Sequence, residues 1–310
     1  MATTNGDVIV APDDNDAGDQ DSSLGDETAS STASLRSSIL DYRHENGRTY
    51  HRFKDGKYNL PNDERENERL DLQHHLFLRT FDNKLGLAPP NLPGSNVERV
   101  LDVGTGTGIW AIDFADDHPE AEVRGSDRNG LVFDLVLKSL GILTGIIGLT
   151  GNTIPVIIVP ANVEFQIDDI DEEWNYSAPF TYIHSRMMNM SIQNWEDYLR
   201  KIFDNLTPGG YVELQDGDAV MESDDGTLTK EHALSKWCNL LREASDKLGR
   251  PCIPTKGLRN IMDKVGFTSI VETRFKWPSN CWPKDKNTRS SERGTMRIQG
   301  LFLNQLLSHR

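Results

Sequence analysis

The chain has 310 residues, with 33 Lys and Arg against 48 Asp and Glu, a formal net charge of -15 and 36% hydrophobic residues. A length of this order suits two domains or one α/β unit with extra segments. So acidic a surface repels a phosphate backbone, so direct nucleic-acid binding is not expected.

The charge is not spread evenly. Residues 1–35 hold eight acids (Asp7, Asp13, Asp14, Asp16, Asp19, Asp21, Asp26 and Glu27) and no Lys or Arg, among Ser, Thr, Gly and Ala. This composition predicts a disordered acidic tail over residues 1–38, which carries about half of the net charge. The start MATTNGDVIVAPDD lacks a basic region and a long apolar core, so no secretory signal is expected. Cys238, Cys252 and Cys281 are odd in number and lack C-x-x-C spacing, which fits neither a disulfide framework nor a zinc site. An intracellular setting, nucleus or cytoplasm, is the resulting expectation, with no metal.

Past the tail, Asn62 or Asp63 is placed to cap a helix over DERENERLDLQHHLFLRTF. The segment 87–96 resets the chain before VERVLDV, a strand that runs into glycines. GIWAIDFADDHP reads as a helix with Trp110, Ile112 and Phe114 as core candidates, and AEVRGSD as the next strand. NVEFQIDDI, PFTYIHSR and GGYVELQD have strand character; NWEDYLRKIFDNL, KEHALSKWCNLLREASDKLG and LRNIMDKVGF have helical patterns. Strands alternating with helices predict the α/β class, a doubly wound, mostly parallel, Rossmann-like sheet, in one domain over residues 39–310.

The chemistry concentrates in Val100-Leu-Asp-Val-Gly104-Thr-Gly106-Thr-Gly108. Glycines at alternate positions let the backbone turn sharply out of a strand and let a ligand lie against bare amides at a helix start. Asp102, just before the turn, suits an ammonium, directly or through water, and would repel a pyrophosphate. Asp127 ends the following strand, where a carboxylate can grip a ribose diol. Asp168 and Asp169 follow the third strand, where an adenine edge needs an acceptor.

With G-x-G-x-G in place of the dehydrogenase G-x-G-x-x-G, the sequence resembles the class I S-adenosylmethionine-dependent methyltransferases. More closely it resembles the fungal LaeA-like methyltransferases, whose members include regulators of secondary metabolism. That closer likeness rests on GRTYHRFKDGKYNLPNDERENERLDLQHH, VLDVGTGTGIWAIDFAD, VEFQIDDIDEEWNY, FTYIHSRMM and LTPGGYVELQD. The resemblance implies S-adenosyl-L-methionine as cofactor, bound across the carboxyl ends of the first strands. It implies that Gly104, Thr105, Gly106, Thr107 and Gly108 shape the methionine and ribose pocket, that Asp127 holds the ribose, and that Asp168, Asp169 and Ile170 flank adenine. The helix from Asn62 to His75 would act as a lid.

Methyl transfer from a sulfonium requires alignment and exclusion of water more than a dedicated base. If a base exists, His184 is the candidate, at the end of a strand on the cofactor face; the alternative is a strand histidine satisfied by neighbouring backbone. Arg186 could pair the methionine carboxylate or an internal Asp. Tyr58 and Trp174 are pocket walls or core.

Two departures stand out. Between Asp127 and Asn162 lie 34 residues, uncharged after Lys138, and 128–153 reads as an atypical apolar insertion, dispensable and harmful to solubility. Five glycines, Asn152 and Pro155 break the run, so no membrane span is expected there. The final LFLNQLLSHR reads as part of a helix, a truncated end that would leave a sheet edge uncovered. The expected activity is methyl transfer to a small-molecule or protein acceptor. The alternative is a non-catalytic, partner-binding protein in a regulatory complex on the same fold, and a nicotinamide dehydrogenase is disfavoured by the glycine spacing.

Overall fold

A computed structural model describes residues 42–50, 61–127, 159–218 and 220–277, together with the backbone of 302–309. The acidic tail, most of the apolar insertion's neighbourhood including all of 128–153, Tyr58 and Cys281 lie outside the described residues. A small hairpin, β1 (Arg43–Glu45) and β2 (Arg48–Tyr50), turns through Asn46 and Gly47, both at positive φ. Helix α1 (Glu64–Thr80) follows, capped by Asp63, whose carboxylate accepts the Glu66 N–H and pairs with Arg48.

The rest alternates as expected: β3 (Arg99–Val103), α2 (Ile109–Asp117), β4 (Glu122–Asp127), β5 (Val163–Ile167), β6 (Phe180–Arg186), α3 (Trp195–Asp204), β7 (Leu206–Asp218), α4 (Ala233–Lys247), α5 (Thr255–Val265), β8 (Thr268–Phe275) and β9 (Phe302–His309). The strand order is β5-β4-β3-β6-β7-β9-β8. The first five strands are parallel, and β9 runs antiparallel to both β7 and β8. The order reverses between β3 and β6, which puts the ligand crevice of this sheet type at their carboxyl ends.

The last segment corrects the helical reading of LFLNQLLSHR. It is β9, paired along its length with Tyr211–Asp218 of β7 and with β8 on its other side, so the edge expected to be open is filled. Among the described residues, no helix is long and apolar enough to cross a membrane.

Side-chain alternation along the strands builds two cores. Val100 and Tyr182 face α2, where Trp110, Phe114, Ala111 and Val123 join them. Leu101, Val103, Ile183, Val212 and Leu214 face the other way, against Trp195, Leu199 and Ile202 of α3 and Leu258 and Met262 of α5. Of the three core candidates on α2, Trp110 and Phe114 are buried and Ile112 is half-buried. Helix α3 is amphipathic for a local reason: Trp195, Tyr198, Leu199 and Ile202 fall on one face, and Asn194 caps it by accepting the N–H groups of Glu196 and Asp197.

The α2 side also carries a polar row. Asp102, His184 and Glu213 are register partners on adjacent strands and share one face, all three buried. Glu213 accepts the N–H groups of Leu87 and Ala88 at 3.1 and 2.9 Å, the Asn91 amide at 3.1 Å and the Tyr182 hydroxyl at 2.9 Å. It thereby staples the segment before β3 onto the sheet. Replacing Glu213 with Leu strands these donors in an apolar layer, and each buried orphan costs ~1 to 3 kcal/mol. We expect Glu213→Leu to lose at least ~3 kcal/mol in urea unfolding; a change near zero would mean that the segment is held by its apolar contacts alone.

Candidate functional site

The glycine turn leaves β3 at the point where the strand order reverses. Gly104, Gly106 and Gly108 have φ of 74°, 59° and 80°, the left-handed region that a side chain strains to enter. A β-carbon on Gly104 would also lie 2.6 Å from Met188 Sδ. The end of β4 supports the turn, since Ser126 O accepts the N–H groups of Gly104 and Thr105 at 2.8 and 3.1 Å. Asp127 completes it: its Oδ2 accepts the Gly106 N–H at 2.7 Å. The two parts of the predicted site are thus in direct contact.

Asp102 is placed differently from expectation. Its carboxylate points under the turn, where Oδ2 accepts the Thr105 hydroxyl at 2.6 Å and Oδ1 the His184 Nδ1–H at 2.7 Å. It is buried, and both oxygens serve the protein's own groups. An ammonium above the turn would feel this charge through the backbone, not as a direct partner.

His184 likewise does not open onto the site. It is 1% exposed, its ring stacks on the Trp110 indole at 3.7 Å with 6° between planes, and its Nε2 is buried without a hydrogen-bond partner. The general-base role therefore gives way to a structural one, with an Asp102 side chain, not backbone, as the satisfying neighbour. Thr107 donates to Asp71 Oδ1 of α1 at 3.0 Å, which ties that helix to the turn. A β-carbon on Gly106 would stand 3.4 Å from Leu70 Cδ1, so α1 lies directly over the glycines.

On the far side, the Asp168 N–H donates to Asp127 O at 3.1 Å, which brings the two predicted acidic sites together. Asp169 and Ile170 are buried, and Asp169 Oδ1 accepts the Asp171 N–H at 3.1 Å. Asp168 and Asp169 border a cleft of about 130 Å³ shared with Arg124, Gln166, Trp174 and Tyr176. Burial there lifts the Asp168 carboxyl above its ordinary value, against the pull of Arg124. Trp174 lines this cleft and also packs on the core.

Among the described residues, Arg186 pairs with no internal Asp, and it is half-buried. Its Nε donates to Gln215 Oε1 at 2.8 Å and its Nη1 to His74 Nδ1 at 3.2 Å, and the guanidinium lies over the Phe77 ring. Burial pulls it down to about 10, while Asp102 and Glu213 oppose that shift. Because arginine only donates, His74 Nδ1 must accept, and its Nε2–H donates to Asp113 Oδ2 at 2.9 Å.

Several participants were not singled out in the sequence. Gly125 pairs with Asp102 on β4, and a β-carbon there would come 2.9 Å from Thr105 Oγ1 and 2.5 Å from Phe165. Its bareness makes room for the hydroxyl that binds Asp102; a glycine inside a strand is the signal that marks such an approach. Met188 and Asp216 had no comparable local signal. Among the described residues, no group of metal-ligating side chains gathers at this site or elsewhere.

A glycine turn at the switch point of a doubly wound sheet, with a carboxylate closing it from the next strand, defines an α/β enzyme built around a nucleoside-containing cofactor. The family model described as "Methyltransferase domain" matches residues 72–272. Methyltransferase pytC of Aspergillus terreus is 37% identical over 259 residues, 84% of this chain and 72% of that protein. The secondary metabolism regulator LAE1 of Cochliobolus heterostrophus is 34% identical over 248 residues, 79% of this chain and 73% of that one. A solved structure of Haemonchus contortus phosphoethanolamine N-methyltransferase 2 with S-adenosyl-L-methionine shares 14% identity at a TM-score of 0.48, covering 94% of this chain and 76% of its own. The chain belongs to the methyltransferase domain family and is an S-adenosylmethionine-dependent methyltransferase.

Burial lowers the pKa of His74 below its ordinary 6.5, against the pull of Asp113. The unfolded chain therefore takes up a proton that folded His74 refuses, so its stabilising contribution is complete above 6.5 and is lost as pH falls through the lower folded value. In urea unfolding from pH 7.5 downward, wild type should lose stability relative to His74→Gln. A constant gap between the two would show that the ring is not held neutral by its burial.

Proposed function

We propose that the chain moves a methyl group from S-adenosylmethionine to a small-molecule or protein acceptor, and that this transfer bears on fungal secondary metabolism, as its likeness to secondary metabolism regulators suggests. The observation that carries the reading is the Asp127 carboxylate closing the glycine turn at the Gly106 N–H. In this reading Gly104, Thr105, Gly106, Thr107 and Gly108 cradle the methionine and ribose, Asp127 takes the ribose hydroxyls, and Asp168, Asp169 and Ile170 border adenine.

The residues present fit such a cofactor. Left-handed glycines leave the turn bare on its outer side, and a charged acceptor stands at the end of the second strand. When bound, the cofactor supplies an activated methyl carbon on a sulfonium, ready for in-line displacement. The chain's own part is to align and to exclude water, an effect worth up to ~7 to 11 kcal/mol. Asp102, Thr105 and His184 hold the turn in shape, and the buried Asp102 carboxylate favours a cation above it. Helix α1, tied through Asp71 to Thr107, covers the turn from outside. No base is drawn from His184.

Calorimetry with S-adenosylhomocysteine tests the reading. Wild type should bind. Asp127→Ala removes charge-assisted hydrogen bonds of ~1.5 to 3 kcal/mol each, so affinity should fall at least about tenfold, while Asp127→Asn, which keeps an acceptor for Gly106, should fall less. Gly106→Val should abolish binding with little change in helix content. A change of less than about twofold in Asp127→Ala would remove that residue from the ribose site.

A further inference from the structure

The segment that follows β6 is held in an unusual shape beside the glycine turn. Met187 and Met190 both have positive φ, 54° and 65°, a conformation that needs outside support in residues with a β-carbon. Between them, the Met188 and Asn189 N–H groups both donate to Asp216 Oδ2 at 2.8 Å, and Asp216 Oδ1 accepts the Gly217 N–H at 2.8 Å. Asp216 is buried near the end of β7, and none of the roles assigned above uses it.

Two consequences follow from that grip. On one side it places the Met188 thioether against the bare α-carbon of Gly104, in the space a side chain would fill. On the other it presents the Asn189 amide to the connection between α4 and α5: Asn189 Oδ1 accepts the Ile253 N–H at 3.0 Å, and Nδ2 donates to Ile253 O at 3.2 Å and Gly217 O at 3.1 Å. Arg250, in the same connection, donates to Ser191 O and pairs with Asp171 at 3.0 Å, just beyond the acids on the adenine side.

Resting on the methyl-donor reading of the glycine turn, we propose that Asp216 is a positioning residue. Its carboxylate gathers the loop after β6 so that Met188 forms the wall of the methyl-donor pocket at Gly104 and Asn189 locks the α4–α5 connection to the same wall. Such an arrangement couples the two sides of the crevice through one group. Helix α4 carries Leu234, Trp237 and Leu240 on its exposed surface, followed by the exposed C-cap Leu248, so its connection is where an acceptor-side element would be oriented relative to the methyl donor.

The test uses the full chain, S-adenosylhomocysteine as probe, amide hydrogen exchange and methyl-labelled methionine. Asp216→Asn keeps the size but removes the charge and leaves one acceptor oxygen for three N–H donors, so an NH₂ group must face at least one of them. Exchange at Met188, Asn189 and Ile253 should quicken at least tenfold while Val123 and Phe165 in the β4–β5 region keep their rates. Affinity for the probe should drop tenfold or more, and the Met188 methyl resonance should lose its distinct position. Unchanged exchange at Ile253 together with affinity within twofold of wild type would overturn the proposal. If Asp216→Asn fails to fold, Asn189→Ala decides: Ile253 should lose protection while Met188 keeps its resonance and affinity stays within threefold, and continued protection of Ile253 would overturn the lock. A wild type that does not bind the probe would sink the methyl-donor reading, whereas the exchange pattern would still judge the clamp.

Discussion

The Asp102 carboxylate joins three segments that the chain would otherwise have to hold separately: the end of β3, the first residue side chain of the glycine turn at Thr105, and the centre of β6 at His184. A buried carboxylate without partners is expensive, and hydrogen bonds to a charged group return ~1.5 to 3 kcal/mol each. Once buried, the carboxylate is tolerable only with these partners in place, so it selects this arrangement over other compact ones. His184 is satisfied through it, Trp110 is ordered by stacking on His184, and Gly125 must stay bare to admit Thr105.

Strand β7 applies the same logic farther along the sheet. Its acids each hold a different connection: Glu213 the residues 87–91, Asp216 the loop after β6, and Asp218 the start of α5 through the Thr255 N–H and hydroxyl at 2.9 and 3.0 Å. Loops at the carboxyl ends of parallel strands have few backbone partners of their own. Carboxylates from the next strand supply them. In this way a layer of buried acids shapes the crevice before any ligand enters, and Arg186 lies beside it.

Much of this architecture was legible because it is local. Apolar alternation in VLDV and YIHS, the Asn194 cap and the three glycines each carry a signal within a few residues. The hairpin turn at Asn46-Gly47 had as clear a signal and was passed over. LFLNQLLSHR was misread because Phe302, Leu303, Leu306 and Leu307 recur at helical spacing, and a short apolar run does not separate a helix from a strand paired on both sides. Glu213 and Gln215 alternate with Val212 and Leu214 as solvent-facing residues would; only the packing of 85–91 across them makes them buried. Asp102 and Asp127 carry a local signal, but the partners of the buried acids do not, because Asp102 with His184 and Asp216 with Met188 meet through strand order, which no local pattern encodes.

This distinction bears on how the crevice relates to methyl transfer. Asp102 and His184, two of the site residues expected from the sequence, are 2% and 1% exposed and bond to the protein's own groups. Asp127, Asp168 and the bare glycines, which the proposed reading sets against the cofactor, are held in place next to this layer through Gly106, Ser126 and Thr105. A reaction that needs alignment more than proton transfer is served by such a division, since rigidity in the buried layer is converted directly into placement at the surface of the turn. Histidine at the sheet centre then contributes by being immobile: stacked on Trp110 and bonded to Asp102, it cannot swing toward an acceptor, and the turn above it cannot sag.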